Sequence, residues 1–132
     1  REAFRPFAPS VLADRAHDFF ELPAPSPYMQ FTVRVKASAK GILPAVTHVD
    51  GTARVQTVTR EANPRFYDLL TAFGQLTGVP VLLNTSFNVQ EPIVCTPEDA
   101  VRCFQRTQVE WLVLGNLLVG RSSPPAISNH AC

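Results

Sequence analysis

The clearest alternation of hydrophobic and polar residues runs from Tyr28 to Lys36. Every second side chain of this segment is apolar, and the residues between are polar or charged. Because successive side chains of a strand point to opposite faces, this period predicts a half-buried strand. Its inward face consists of Met29, Phe31, Val33 and Val35. The segment from Ala37 to Gly41 lacks such a pattern and predicts a surface loop.

A second alternation surrounds the dipeptide Asp50-Gly51. Residues typical of strands run from Leu43 to Val49 before it and from Thr52 to Val58 after it. Asp-Gly is a favoured two-residue turn between antiparallel strands, so the sequence predicts a hairpin here. In the returning strand one face holds Ala53, Val55 and Thr57, and the other holds Arg54, Gln56 and Val58.

Helices are predicted where apolar residues recur at spacings of three and four. The longest begins at Asn63-Pro64, where the asparagine caps the first turn and the proline presets it, and it ends at Gly78. A shorter helix is predicted over Ala13 to Leu22, and a third begins at Thr96 with Asp99 completing a capping box. The apolar stripes of the three helices are Phe66, Leu69, Leu70, Phe73 and Leu76; Ala16, Phe19 and Phe20; and Ala100, Val101 and Phe104.

The remaining apolar runs predict strands. Val79 to Leu83 is apolar on both faces, as expected of a central strand covered by other layers. A short strand is predicted over Pro92 to Cys95, and Trp111 to Val119 predicts a hairpin that turns at Gly115-Asn116. Hairpins and helical crossovers occur together along the chain. The predicted fold class is therefore α/β, a single domain with a twisted sheet of mixed parallel and antiparallel strands flanked by helices.

Composition excludes several classes of protein. The 132 residues are 45% hydrophobic and 17% charged, with a net charge of +1, which predicts a globular chain without the basic surface of a nucleic-acid binder. The longest apolar runs fall far short of the ~20 residues that a membrane-spanning helix needs. Cys95, Cys103 and Cys132 lack metal-ligand spacing and predict free thiols in a reducing cytosol. The scattered histidines likewise predict no metal site within the chain.

The two ends of the chain carry further expectations. The chain begins at Arg1 without a visible signal peptide, and its first residues read as packed structure, so we expect a fragment of a longer cytoplasmic protein. The Ser- and Pro-rich residues 122–132 predict a flexible tail. The chain contains ten arginines but only two lysines. Arginine offers a planar fork suited to bidentate contacts with phosphate or carboxylate, although surface solubility explains part of this usage.

The most informative polar segment is Asn84-Thr85-Ser86-Phe87-Asn88. It follows an apolar strand, and open α/β sheets bind ligands in crevices outside the carboxyl ends of their strands. Two hydroxyls, two amides and the backbone N–H groups of a turn suit an oxyanion or a phosphate. An ordinary polar loop with side-chain-capped turns fits the same composition. From these residues alone both interpretations stand.

Two arginine-bearing segments are further candidates. Arg54 and Gln56 share one face of the predicted returning strand, where they suit a phosphate and a carbonyl group, and His48 precedes the turn as a candidate general base. A solvent-facing strand edge explains the same pattern. Near the start of the chain, Arg1 and Arg5 are candidates for an anion, or ordinary surface residues. Glycine loops of the Walker or dinucleotide-binding type do not occur.

These segments form an ordered series that resembles a known family. It includes Val-Thr-His-Val-Asp-Gly-Thr-Ala-Arg-Val-Gln at 46–56 and Leu-Asn-Thr-Ser-Phe-Asn at 83–88. The series strongly resembles the C-terminal domain of the NodU/CmcH carbamoyltransferases, which act in Nod-factor and antibiotic biosynthesis, and the resemblance covers residues 1–121. The full series comprises Arg1 to Val11, Ser26 to Met29, Pro44 to Val58, Asn63 to Tyr67, Thr77 to Val89 and Glu91 to Ala100.

The resemblance implies a YrdC-like fold and a defined reaction. In such enzymes this domain activates carbamoyl phosphate with ATP to carbamoyladenylate. A larger, actin-like N-terminal domain with a histidine-ligated iron, absent from this chain, then transfers the carbamoyl group to a hydroxyl. The implied cofactors and partners are thus ATP with a companion Mg²⁺, carbamoyl phosphate and that N-terminal domain.

The resemblance makes the segment from Asn84 to Asn88 the counterpart of a loop that contacts nucleotide phosphates, and for the implied reaction we assign roles to particular side chains as a hypothesis. Arg54 and Ser86 are assigned to catalysis, and His48 and Gln56 to orienting the carbamoyl end. The residues assigned to nucleotide and phosphate binding are Arg5, Arg54, Asn84, Thr85, Ser86 and Asn88. The stretch from Asn88 to Pro92 departs from the family, since it is one residue shorter and lacks glycine. This departure leaves open the geometry around Gln90 and Glu91.

Two other functional classes remain compatible with the sequence. One is a non-catalytic docking or regulatory domain that supports the transferase domain of the same enzyme. The other is a nucleic-acid-binding module, because YrdC-like folds can present a positive concave face; the net charge of +1 speaks against it.

Overall fold

The computed structural model of the chain describes residues 6–121. These residues form two compact units, the first ending at Thr85 and the second beginning at Ser86. The predicted tail, residues 122–132, lies outside the described part of the chain.

A three-stranded sheet organises the first unit. Its strands are β1 (Ala8–Leu12), β4 (Gln56–Val58) and β5 (Val81–Asn84), in the order β4-β1-β5. β1 runs parallel to β4 and antiparallel to β5, so the predicted mixed sheet within an α/β fold is confirmed. The sequence patterns did not predict β1, because Pro6 and Pro9 obscure it. The central place predicted for β5 belongs to β1, and β5 is an edge strand of this sheet.

A two-stranded sheet in the same unit corrects the predicted hairpin. β2 (Thr32–Arg34) pairs antiparallel with β3 (Thr52–Arg54), and Val33 lies opposite Ala53. The run before the Asp-Gly turn is not a strand, because Pro44–Val46 forms a 3₁₀ turn. Proline fixes a backbone angle compatible with such a turn and removes a donor that a strand needs. The turn itself is present, and Gly51 has a positive φ of 79°.

The predicted strand from Ala53 to Val58 divides at Val55 between the two sheets. β3 pairs with β2, whereas β4 pairs with β1. Ala53, Val55 and Thr57 are buried as the alternation predicted. Val58 is buried as well, because it packs with Leu12 and Leu70 in a cluster of its own. The segment therefore changes partners without losing its inward face.

Helices of the first unit vary in length. They are α1 (Ala16–Phe19), which follows a 3₁₀ turn at Ala13–Arg15, α2 (Ala37–Lys40) and α3 (Pro64–Thr77). The predicted surface loop at α2 is wrong, because this segment forms one helical turn whose Ala39 is buried. Both predicted ends of α3 are confirmed. The Asn63 side chain accepts from the N–H of Phe66, and Gly78 adopts the left-handed conformation that glycine tolerates.

Only part of the predicted apolar stripe of α3 is buried. Leu70 is fully buried, whereas Leu76 is 87% exposed. We expect Leu70→Ala to lower the free energy of unfolding by about 3 kcal/mol, because it empties a filled core position. Leu76→Ala is the matched control, and its effect should stay within about 0.5 kcal/mol. Urea denaturation measures both values, and equal losses would contradict the observed packing.

The second unit contains α4 (Pro97–Arg106) and a hairpin of β6 (Trp111–Leu114) and β7 (Leu117–Gly120). The capping box is confirmed, since Thr96 accepts from the N–H of Asp99 and the Asp99 carboxylate accepts from the N–H of Thr96. Phe104 and Leu112 lie in its core, while Val101 is 38% exposed, in contrast to its predicted inward place. The strand predicted over Pro92 to Cys95 is not formed.

Candidate functional site

Three polar side chains meet where the strands of the three-stranded sheet lie side by side. The Ser10 hydroxyl donates to Gln56 Oε1 at 2.7 Å. Asn84 Nδ2 donates to the same oxygen at 2.8 Å. Gln56 Nε2 in turn donates to the carbonyl of Pro27 at 3.2 Å. The structure thus joins two predicted site residues, Gln56 and Asn84, and adds Ser10, which the sequence patterns did not reveal.

Strand register explains this meeting. Ser10 of β1 lies opposite Gln56 of the parallel neighbour β4. On the other side of β1, Asn84 lies opposite Ala8, at the end of β5. Ser10 is fully buried, and a buried hydroxyl is stable only when hydrogen-bonded. The signal available in the sequence was a single small polar residue inside an otherwise apolar run.

The segment that follows Ser26 is fixed beside this cluster. The N–H of Ser26 donates to Thr57 Oγ1, and the N–H of Thr57 donates to the carbonyl of Ser26, both at 2.9 Å. The Ser26 hydroxyl accepts from the N–H of Gln30 at 3.1 Å. Met29 has a positive φ of 58°, and its sulfur accepts from Asn84 Nδ2 at 3.6 Å. These bonds hold the Pro27 carbonyl against Gln56.

Arg54 lies at the end of β3 on the exposed face of the two-stranded sheet. In β2, Thr32 lies opposite Arg54 and Arg34 lies opposite Thr52. Directly opposite residues and alternate residues share a face, so the two arginines are diagonal neighbours on it. Within residues 6–121, neither guanidinium forms an ion pair. This face therefore carries two positive charges that are open to an anionic ligand.

His48 belongs to the turn that precedes β3. Its Nδ1 lies 3.1 Å from Thr52 Oγ1. The same hydroxyl donates to Asp50 Oδ1 at 2.7 Å, and the Thr52 N–H donates to that oxygen at 3.0 Å. The hydrogen bond from the Thr52 hydroxyl, and to a lesser extent the one from the Thr52 N–H, lowers the pKa of the Asp50 carboxyl below its usual value. His48 is thus held by the turn, and Asp50 stabilises the turn.

The polar loop passes from the first unit into the second between Thr85 and Ser86. Ser86 is exposed, whereas Asn88 is half-buried and donates to the carbonyl of Glu91 at 2.8 Å. The one apolar residue of the loop is Phe87, which packs with the core of the second unit. The other four, the predicted site residues, are Asn84, Thr85, Ser86 and Asn88. Arg5, the remaining predicted anion contact, lies outside the described residues.

Glu91 closes the shortened stretch after Asn88. Its carboxylate accepts from the N–H groups of Val89 at 3.3 Å and Gln90 at 3.1 Å. Arg106 of α4 lies 3.3 Å from the same carboxylate. Hydrogen bonds from the Glu91 and Gln90 backbone stabilise the charged form and lower the pKa of the Glu91 carboxyl below its usual value. The Glu91 carboxylate thus stabilises the turn of this shortened stretch.

An apolar groove of about 240 Å³ in the first unit lies apart from this chemistry. Its lining includes Ile42, Phe73, Val79 and Leu83, and none of the residues assigned to phosphate or carbamoyl binding. Within the described residues, no three His, Cys, Asp or Glu side chains form a group that could hold a metal ion. No helix there is long and apolar enough to cross a membrane.

Comparison with known proteins identifies the family. The profile described as carbamoyltransferase C-terminus matches residues 1–121. The chain is 48% identical over 133 residues to nodulation protein NolO of Bradyrhizobium diazoefficiens, and this alignment covers 98% of the chain and 24% of NolO. It is 52% identical over 123 residues to nodulation protein NolNO of Sinorhizobium fredii, and this alignment covers 90% of the chain and 18% of NolNO.

A cyanobacterial relative extends the same pattern. An uncharacterised protein of Synechocystis is 51% identical over 146 residues, covering 95% of the chain and 24% of that protein. The chain thus spans about a quarter or less of the length of these relatives. The profile covers nearly all of the chain, and the identities are far above the level at which a family is in doubt. This chain therefore belongs to the carbamoyltransferase family, in which it corresponds to the C-terminal domain.

Proposed function

We propose that this domain activates carbamoyl phosphate with ATP inside an O-carbamoyltransferase, which then transfers the carbamoyl group to a hydroxyl of a small molecule or oligosaccharide. The supporting observation is the hydrogen bond between Gln56 and Asn84, which ties the start of the polar loop to the chain segment that carries Arg54. Arg54 precedes Gln56 by two residues, a distance of about 7 Å along an extended chain. The polar loop therefore begins at a residue bonded to Gln56, two positions along the chain from an arginine that has no ion pair within the described residues.

The proposed activation has two balanced steps. Water first cleaves carbamoyl phosphate to carbamate and inorganic phosphate. A carbamate oxygen then attacks the α-phosphorus of ATP, the new O–P bond forms, and the bond to the β-phosphate bridging oxygen breaks. Carbamoyladenylate and pyrophosphate are the products. Transfer to the acceptor hydroxyl then releases AMP, with the hydroxyl proton passing to a base or to water.

Arg54 supplies the positive charge that this chemistry needs. Adenylation concentrates negative charge on phosphate oxygens, and a guanidinium offers them a bidentate contact. Arg34 on the same face raises the local positive potential. Arg5 is proposed as a further anion contact. His48 and Gln56 are the proposed contacts of the carbamoyl end, where alignment of the two reactants lowers the barrier.

The polar loop supplies neutral donors. Thr85 and Ser86 carry hydroxyls on exposed positions. The Asn84 amide is bonded to Gln56 within the first unit, and the Asn88 amide is bonded to the Glu91 carbonyl within the second. Such groups, together with turn N–H groups, stabilise phosphate oxygens without requiring a net charge. Magnesium is proposed as a companion of ATP, and no step is assigned to a protein-bound metal.

Pyrophosphate release by the complete enzyme tests this function. We expect release from ATP that requires carbamoyl phosphate, with acetyl phosphate as the matched control that supports none. AMP should appear only when a hydroxyl acceptor is also present. Carbamoyl transfer that proceeds from carbamoyl phosphate without consuming ATP would show that this domain has a docking role instead.

A further inference from the structure

We infer that Ser10 is a positioning residue for the start of the polar loop, acting through Gln56 on Asn84. The inference rests on the proposed function, because it concerns the loop that would hold the nucleotide phosphates. Ser10 is fully buried in the central strand and does not belong to that loop. Its contribution would therefore be geometric.

The hydrogen bonds of Gln56 allow one orientation of its amide. Oε1 accepts from both Ser10 and Asn84, and Nε2 donates to the carbonyl of Pro27. Rotating the amide by half a turn would set Nε2 against the Asn84 amide donor and Oε1 against the Pro27 oxygen. Two donors or two acceptors facing each other in a part-buried site lose hydrogen bonds on both sides. The orientation is thus fixed by its neighbours.

A fixed Gln56 in turn fixes the start of the loop. Asn84 is the last residue of β5, and its side chain is bonded to Gln56 directly before Thr85 and Ser86. β5 is an edge strand of its sheet, so the side-chain bond adds a restraint at the point where the strand ends. Ser10 reaches Gln56 from the central strand and connects this restraint to the core.

Loss of the Ser10 hydroxyl would release this restraint in part. Gln56 Oε1 would keep one donor of two, and water cannot replace the missing one freely in a fully buried position. Asn84 would then follow a mobile partner. Small errors in the placement of reacting groups reduce rates strongly, so the loss should fall on the activation step and on ATP affinity.

Ser10→Ala in the complete enzyme tests the inference. We expect kcat/KM for carbamoyl-phosphate-dependent pyrophosphate release to fall roughly tenfold, mainly through a higher KM for ATP. Thr71→Val is the matched control, because it removes a hydroxyl that donates to a backbone carbonyl in α3, away from this network. It should leave kcat/KM within about twofold. All assays are run below the lowest Tm of the set.

A double-mutant cycle separates positioning from a merely structural role. If Ser10 acts through Gln56, the variant combining Ser10→Ala with Gln56→Leu should lose no more activity than Gln56→Leu alone. Additive losses would overturn the inference, and so would an unchanged kcat/KM in Ser10→Ala. Ser10→Cys keeps a donor at the same position, although a weaker one, and should show a smaller loss in the same direction, which covers the case that Ser10→Ala does not fold.

Failure of the proposed function would look different. Wild-type enzyme that released no pyrophosphate in response to carbamoyl phosphate would overturn both proposals together. Wild-type release that is matched by Ser10→Ala would overturn the positioning role alone.

Discussion

Arg54→Ala in the complete enzyme is expected to lower kcat/KM for carbamoyl-phosphate-dependent pyrophosphate release by about 100- to 1,000-fold. The guanidinium is exposed and forms no ion pair within residues 6–121, so its charge is not neutralised by a neighbouring carboxylate. Its loss would leave the charge that develops on the phosphates without a fixed counter-charge. Steady-state kinetics with ATP and carbamoyl phosphate varied in turn measures the effect.

Two further variants separate the role of the Arg54 guanidinium from the general effect of losing a positive charge. Arg54→Lys keeps the charge but loses the planar fork, so it should recover only part of the activity. Arg65→Ala removes an exposed arginine of α3 that also forms no ion pair in the described residues, and it should change kcat/KM less than about twofold. An Arg54→Ala enzyme that keeps its affinities for ATP and carbamoyl phosphate would remove Arg54 from the site.

Ser86→Glu is expected to reduce pyrophosphate release by at least about 1,000-fold. A carboxylate at this position would repel the phosphates that the loop is proposed to bind, and like charges brought together in a binding site cost several kcal/mol. Ser86 is exposed, so the substitution should leave folding intact. Discontinuous assay of pyrophosphate, with the circular dichroism melting curve of the same sample, separates loss of function from loss of structure.

The control for Ser86→Glu uses the same chemical change elsewhere. Ser38 is an exposed serine of α2, and Ser38→Glu should retain activity within about twofold. Ser86→Ala removes the hydroxyl without adding charge and should show an intermediate loss of about tenfold. Near-normal release by Ser86→Glu would sink the assignment of phosphate binding to this loop.

Local sequence signals predicted both ends of α3 and the start of α4, whereas the helix predicted over Ala13 to Leu22 is confined to Ala16–Phe19 after a 3₁₀ turn. Asn63 and Gly78 bound α3, and Thr96 with Asp99 begins α4, because capping depends on side chains within one turn of the helix end. The last hairpin is confirmed for a similar reason, since its strands are separated by a short turn. The alternation of Ala53, Val55 and Thr57 likewise predicted the buried face of its segment.

Errors arose where partners are far apart in the sequence. The predicted hairpin at the Asp-Gly turn is wrong, because β3 pairs with β2 and not with the run that contains Pro44. The inward place of Leu76 was wrong as well, since helical spacing gives a face but not how far the neighbouring layer extends. β1 was not predicted, because Pro6 and Pro9 are untypical of a strand at the centre of a sheet.

The sequence by itself determined the family, the α/β class and the candidates Arg54, Gln56 and Asn84, because ordered motifs and local periodicity are properties of the chain. Tertiary structure alone decided that Ser10, Gln56 and Asn84 share hydrogen bonds. These residues lie 46 and 28 positions apart, and only the register of β1 with β4 and β5 brings them together. β1, β4 and β5 are not joined by short turns that would set their register, so the register depends on which side chains the whole sheet buries.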